Sequence, residues 1–128
     1  MRHERTPVTT ADDRRTSRRR SGDEGEAMAL TFLENAGLTL VEKNFLCKGG
    51  EIDLVMLDRK TLVFVEVRRR NSMQFGGAIA SVTQAKQRRM VHAAQMYLLQ
   101  KNNQPACRFD LVTIDAGIIN WLQNVIVA

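Results

Sequence analysis

The sequence predicts an α+β sandwich, in which one mixed β-sheet is flanked by helices. Two strongly apolar runs, Ile52–Leu57 and Leu62–Val67, are separated by four polar residues, as in a β-hairpin. Segments with helical spacing of apolar residues lie before and after this hairpin. The predicted order is therefore one helix, three strands, a second helix and one or two further strands.

The first helix is predicted to begin at Ser21, which opens a capping-box spacing, and to end near Ala36 before a typical glycine stop at Gly37. The second helix is predicted over 84–101, with Thr83 as its N-cap. Each helix carries an apolar stripe. The stripe residues are Ala29, Phe32, Leu33 and Ala36 in the first helix, and Met90, Ala94, Tyr97 and Leu98 in the second.

Runs of β-branched, leucine and aromatic residues predict the strands, and a polar loop with Gly76 and Gly77 is predicted before the second helix. In the hairpin, alternation predicts Asp53 and Val55 on one face and Ile52 on the other. The predicted strands are 38–46, 52–57, 62–67, 107–114 and 118–127, the last being either one strand or a strand and a turn.

The length of 128 residues leaves room for one domain, and 44% hydrophobic with 26% charged residues is a globular composition. The formal net charge is +5, of which +4 belongs to residues 1–22. That segment has almost no large apolar residues, so we expect a disordered basic tail. Residues 23–128 are then expected to form the folded domain.

The sequence favours a cytoplasmic protein. No apolar run approaches the ~20 residues of a membrane helix, and the N-terminus lacks the apolar core of a secretory signal. Cys47 and Cys107 lie far apart and without metal-binding spacing, so a reduced chain without zinc is expected.

Charge is unevenly distributed within the domain. Residues 23–58 carry a net charge of −6, and residues 59–108 carry +9 with Glu66 as their single acid. Both Asp53 and Glu66 stand within apolar strand sequence, where a carboxylate is costly to bury without a cation. Neighbouring antiparallel strands would bring them together, and a divalent metal would relieve their repulsion. The alternative is that they pair with arginines such as Arg68 or Arg108.

Two further residues are candidates with simpler alternatives. Glu26 lies near the start of the first helix, where it could be a third acid of the site or merely stabilise the helix dipole. Lys86 heads the apolar stripe of the second helix, so its ammonium could point into the site or simply reach solvent.

Two motifs resemble a known family. Residues 50–54 read GEIDL and residues 64–70 read FVEVRRR, and this pair resembles the YraN-like family of uncharacterised bacterial proteins. That family is similar to the PD-(D/E)xK, or restriction-endonuclease-like, superfamily, which includes archaeal Holliday junction resolvases. The resemblance covers residues 25 to 121. It also includes Gly25, Glu26, Ala29, Phe75, Gly76, Lys86, Arg108, Phe109 and Asp110.

The resemblance implies a restriction-endonuclease-like sheet and hydrolysis of phosphodiester bonds that depends on Mg²⁺ or Mn²⁺. It implies that Asp53 and Glu66, with the Val67 carbonyl, hold the metal against the scissile phosphate. It further implies Glu26 as an extra ligand. The superfamily lysine is replaced by Arg68, which stays charged and is a poor general base. Lys86 could supply the missing ammonium.

These observations favour a nuclease acting on DNA, with branched or damaged DNA as candidate substrates. The alternatives are a non-catalytic nucleic-acid-binding protein on the same fold, and an interaction protein whose acids form salt bridges. Resolvases of the superfamily act as dimers, so a homodimer is a candidate state, and no membrane partner is expected. The residues expected to contact phosphates are Arg68, Arg69, Arg70, Arg88 and Arg89.

Overall fold

The computed structural model describes the backbone over 10–70, 74–102 and 105–126, and side chains over 23–70, 76–102 and 105–126. Within these residues one sheet has five strands, ordered as they follow along the chain. β3 and β4 are parallel, and the other neighbouring pairs are antiparallel. The strands are β1 (Thr39–Cys47), β2 (Gly50–Asp58), β3 (Thr61–Arg70), β4 (Cys107–Asp115) and β5 (Ile118–Leu122).

Two α-helices flank the sheet, α1 (Thr10–Asn35) and α2 (Gln84–Lys101). The α2 bounds match the prediction, and Thr83 caps the helix by accepting from the Lys86 N–H at 3.1 Å. The predicted loop before α2 is instead a 3-10 helix, Gln74–Ser81. No helix in the described part of the chain has the length and apolarity to cross a membrane.

The predicted start of α1 is wrong. Ser21 lies inside the helix, which begins eleven residues earlier, and Gly37 follows its end with a φ of +104°. No proline interrupts residues 10–35, and arginine is a good helix former, so the helix propagates past the capping-box spacing. Residues 1–9 lie outside the described residues, and a separate basic tail over 1–22 stays a prediction.

A helix packs on each face of the sheet, which confirms the predicted α+β sandwich. α2 covers one apolar cluster and α1 covers the other. The α2 cluster is Phe45, Ile52, Val55, Leu62, Phe64, Met90, Ala93, Ala94, Tyr97 and Phe109. The α1 cluster is Ala29, Leu33, Leu38, Leu54, Met56, Val63, Val65, Val112 and Ile114.

The predicted alternation in β2 fails at one residue. Ile52 packs with Val55 under α2, whereas Leu54 and Met56 pack under α1. Strict alternation would put Ile52 with Leu54. The strand therefore changes its facing between Ile52 and Leu54, at the position of Asp53.

Candidate metal site between two strands

The β2–β3 hairpin opens where Asp53 and Glu66 lie. Paired residues run from Asp58 opposite Thr61 up to Leu54 opposite Val65, and no further. Beyond them the Asp53 carboxylate takes the place of a main-chain acceptor, and its Oδ2 accepts from the Val67 N–H at 2.8 Å. A side chain has thus entered the ladder, which accounts for the changed facing of β2.

Strand geometry directs the Val67 carbonyl toward the same gap. In a β-strand the N–H and C=O of one residue point toward the same neighbouring strand. Because the Val67 N–H is directed at Asp53, its carbonyl is directed toward β2 as well. The gap therefore combines a carboxylate with a main-chain carbonyl, both of which are oxygen donors.

Asp53 and Glu66 are both buried, at 8% and 7% exposure. Burial is the largest cause that raises the pKa of Asp53, to about 8 from an ordinary 3.8, and the negative charge of Glu66 is the next. The Val67 N–H opposes this rise. Two carboxylates that repel each other in a poorly hydrated gap form a place where a cation would be strongly stabilised.

Glu66 has a cationic neighbour on its own strand. Arg68 Nη1 lies 3.2 Å from Glu66 Oε2, and Arg68 Nε donates to Ser81 Oγ at 2.9 Å. The alternative of an arginine pair is therefore realised for Glu66. Within the described residues it is not realised for Asp53, since Arg108 instead contacts Asp58 and Asp110.

A cavity of about 280 Å³ opens beside Glu66. Lys86 and Arg89 from α2 line it, together with Glu51 from β2 and the turn between β1 and β2. The helix approaches β2 closely because Gly50 has no side chain, and an added Cβ there would collide with the Arg89 carbonyl. Lys86 and Glu66 thus line the same cavity, and a role of the Lys86 ammonium in the site stays a prediction.

Glu26 lies near the pair without joining it. Burial first, and then the charge of Asp23, raise the pKa of Glu26, while a hydrogen bond with Asn44 opposes the rise. The charge of Glu26 also contributes to the raised pKa of Asp53. Among the described residues, no three His, Cys, Asp or Glu side chains gather closely enough to hold a metal ion.

The donor set at the gap fits Mg²⁺. This ion takes oxygen ligands, and commonly one or two carboxylates with water and phosphate complete its shell. Asp53, Glu66 and the Val67 carbonyl supply such donors, and Glu26 is the α1 carboxylate whose charge acts on Asp53.

The predicted arginines do not share one surface. Arg68 contacts Glu66, which lines the cavity, whereas Arg69 contacts Glu24 of α1 at 3.1 Å on the opposite face of the sheet. On α2, Arg89 lines the cavity and Arg88 lines a separate groove with Gln84, Gln87, Val91, His92, Gln95 and Ile126. Arg70 lies at the end of β3, where its carbonyl accepts from Ala116.

Asp110 shows what a satisfied buried carboxylate looks like in this fold. It is fully buried and accepts from Arg108, from the Trp121 indole N–H at 2.8 Å and from the Asn124 N–H at 2.9 Å. Asp53 by contrast has one main-chain donor and an acidic neighbour. The difference separates a structural carboxylate from one suited to bind a ligand.

Two residues contribute to the site without having been predicted from the sequence. Glu51 lines the cavity, and its charge raises the pKa of both Asp53 and Glu26. Ser81 holds Arg68 from the 3-10 helix. The GEIDL motif could have indicated Glu51, but no sequence signal placed Ser81 beside β3.

The mixed sheet, with helices on both faces and carboxylates where two strands part, defines an α+β protein of the restriction-endonuclease-like class. A sequence model described as "Uncharacterised protein family UPF0102" matches residues 25–114. The chain belongs to this family, which is the YraN-like family that the two motifs resemble.

Relatives of similar length support the same family. A UPF0102 protein of Herminiimonas arsenicoxydans is 55% identical over 112 residues, covering 88% of this chain and 90% of the relative. One from Janthinobacterium sp. (strain Marseille) is 52% identical, covering 89% and 93%. One from Pseudomonas savastanoi pv. phaseolicola is 48% identical, covering 86% and 95%.

Proposed function

We propose that this protein is a metal-dependent nuclease that hydrolyses phosphodiester bonds in DNA. One observation carries the proposal, the separation of β2 and β3 around the buried carboxylates Asp53 and Glu66, beside a cavity to which α2 contributes Lys86 and Arg89. A structural role alone gives no reason to keep two repelling carboxylates in an opened ladder.

Asp53, Glu66 and the Val67 carbonyl would hold Mg²⁺ or Mn²⁺. When bound, the ion would polarise the scissile phosphate and favour attack by water. Lys86 and Arg89 would neutralise phosphate oxygens that enter the cavity, because their charges line it. Lys86 is the lysine among the residues that line the cavity. It is a better candidate for proton transfer than an arginine, because a guanidinium stays charged.

The test is cleavage of labelled DNA. Linear, nicked and four-way-junction substrates are incubated with Mg²⁺, with Mn²⁺ and with EDTA. We expect metal-dependent cleavage that falls at least a hundredfold in Asp53→Asn, which keeps an oxygen for the Val67 N–H. The exposed Glu34→Gln is the matched control and should cleave normally. Equal cleavage by wild type and Asp53→Asn would exclude the proposed site.

A non-catalytic nucleic-acid-binding protein is the second candidate. The observation that favours it is Arg68, which stands at the lysine position and already contacts Glu66 and Ser81. In the same experiment this candidate predicts salt-dependent binding to DNA without cutting under any metal condition. An interaction protein predicts neither binding nor cutting.

A further inference from the structure

Arg68 is held from two sides. Its Nε donates to Ser81 Oγ at 2.9 Å, and its Nη1 donates to Glu66 Oε2 at 3.2 Å. A guanidinium has five N–H groups in one plane. Two of them are used in these contacts, and fixing both ends of the fork also fixes the direction of the others.

The Ser81 hydroxyl is oriented to accept. It donates its proton to the Ala78 carbonyl at 2.6 Å, so its remaining lone pairs face Arg68. A hydroxyl has one proton to give. The arrangement therefore suits a permanently charged donor such as arginine.

The 3-10 helix that carries Ser81 is itself fixed to the sheet. The Ala78 N–H donates to Oδ1 of Asp115, a buried residue of β4, at 2.6 Å. Gly77 has a φ of +69°, and an added Cβ would lie 2.8 Å from that oxygen. Since Arg70 pairs with Asp115 in the sheet, Ser81 is held at a set distance from β3.

We propose that Ser81 is the positioning residue of Arg68, and that Arg68 so held presents its remaining N–H groups to a phosphate beside Glu66. This inference rests on the proposed nucleic-acid function. A lysine has no planar fork, so the same two contacts would not fix the direction of its remaining N–H groups. The 3-10 helix thus contributes to phosphate binding indirectly, because its Ser81 holds Arg68 in place.

The test is the salt dependence of DNA binding, measured by fluorescence anisotropy in EDTA. Each lost phosphate contact lowers the slope of log K against log salt by about 0.9. We expect Arg68→Gln to lower it by about that amount. Ser81→Ala should reproduce much of this loss although it changes no charge, and Ser81→Thr should restore the wild-type slope.

Two controls separate positioning from structure. Arg59→Gln makes the same charge change in the hairpin turn, at the far end of β2, and should leave the slope unchanged. Melting temperatures are compared for every variant. If Ser81→Ala lowers the melting temperature and leaves the slope unchanged, Ser81 is structural and the inference is overturned.

A second measurement does not depend on a variant. In the wild-type protein the Arg68 Nε–H should give a slowly exchanging NMR signal, and the signals of its terminal N–H groups should shift when inorganic phosphate is added. A slowly exchanging Nε–H with no shift of the terminal groups contradicts phosphate binding by Arg68. If the terminal groups do not shift but the wild type cleaves DNA, the proposed function stands and only the role of Arg68 is excluded. If the wild type does not bind DNA, the proposed function and the role of Arg68 are both excluded.

Discussion

The carboxylate of Asp53 makes the stability of the metal-free protein depend on pH. Its pKa of about 8 in the folded protein lies above the ordinary 3.8, chiefly because it is buried and next because Glu66 is negative. At a pH between these two values, Asp53 therefore keeps a proton in the folded protein that it has lost in the unfolded chain. The stability that results is complete below about pH 4 and is lost as the pH rises through about 8.

The size of this loss follows from the two pKa values. Each pH unit between them changes the free energy of unfolding by up to about 1.4 kcal/mol, so the range from pH 5 to pH 8 is worth about 4 kcal/mol. Asp53→Asn removes the titration and keeps the acceptor for Val67. We expect its stability to match wild type near pH 4, and its advantage over wild type to grow by about 4 kcal/mol between pH 5 and pH 8.

Urea unfolding in EDTA, followed by the fluorescence of the single tryptophan Trp121, measures these free energies. Glu34→Gln is the control, because this exposed acid should leave the difference between pH 5 and pH 8 unchanged. Parallel pH profiles for wild type and Asp53→Asn would contradict this expectation, since they would mean that Asp53 ionises in the folded protein at an ordinary pH.

Three further predictions concern packing and the cavity. Gly50→Ala should lower the free energy of unfolding in urea by about 2–3 kcal/mol, because its Cβ meets the Arg89 carbonyl. The control Gly25→Ala, inside α1, should leave the free energy of unfolding unchanged or raise it by up to about 1 kcal/mol. A larger loss for Gly25→Ala than for Gly50→Ala would contradict the described packing. Asp110→Ala should cost about 3–5 kcal/mol at pH 7, because it leaves buried donors without an acceptor; a loss below 1 kcal/mol would contradict a structural role. Lys86→Ala should weaken DNA binding and reduce cleavage at least tenfold without changing the melting temperature, and unchanged binding and cleavage would show that this lysine has no role.

Local signals in the sequence were sufficient to predict most of the fold. The β2–β3 hairpin follows from two apolar runs and a polar link, and α2 follows from its apolar stripe and the Thr83 cap. The beginning of α1 was not predictable in this way, since helix propagation through an arginine-rich segment leaves no local mark. The changed facing of Ile52 depends on a hydrogen bond from β3, which alternation within β2 cannot reveal.

The candidate site was predictable to the extent that it lies in the two motif strands. Asp53 and Glu66 stood out as acids in apolar sequence, and the structure brings their charges together. The three consecutive arginines do not lie on one face, because neighbouring strand residues point to opposite faces and Arg69 contacts α1. Ser81 reaches the site through the fold of the 3-10 helix, which the sequence predicted as a loop.

Binding of Mn²⁺ is the most direct test for a metal site between β2 and β3, because it needs no knowledge of the substrate. Calorimetric titration at pH 8 compares wild type with Asp53→Asn and with the exposed control Glu34→Gln. We expect wild type and the control to bind the ion, and Asp53→Asn to bind it at least tenfold more weakly. Equal Mn²⁺ affinity in all three proteins would contradict a metal site at the gap between β2 and β3.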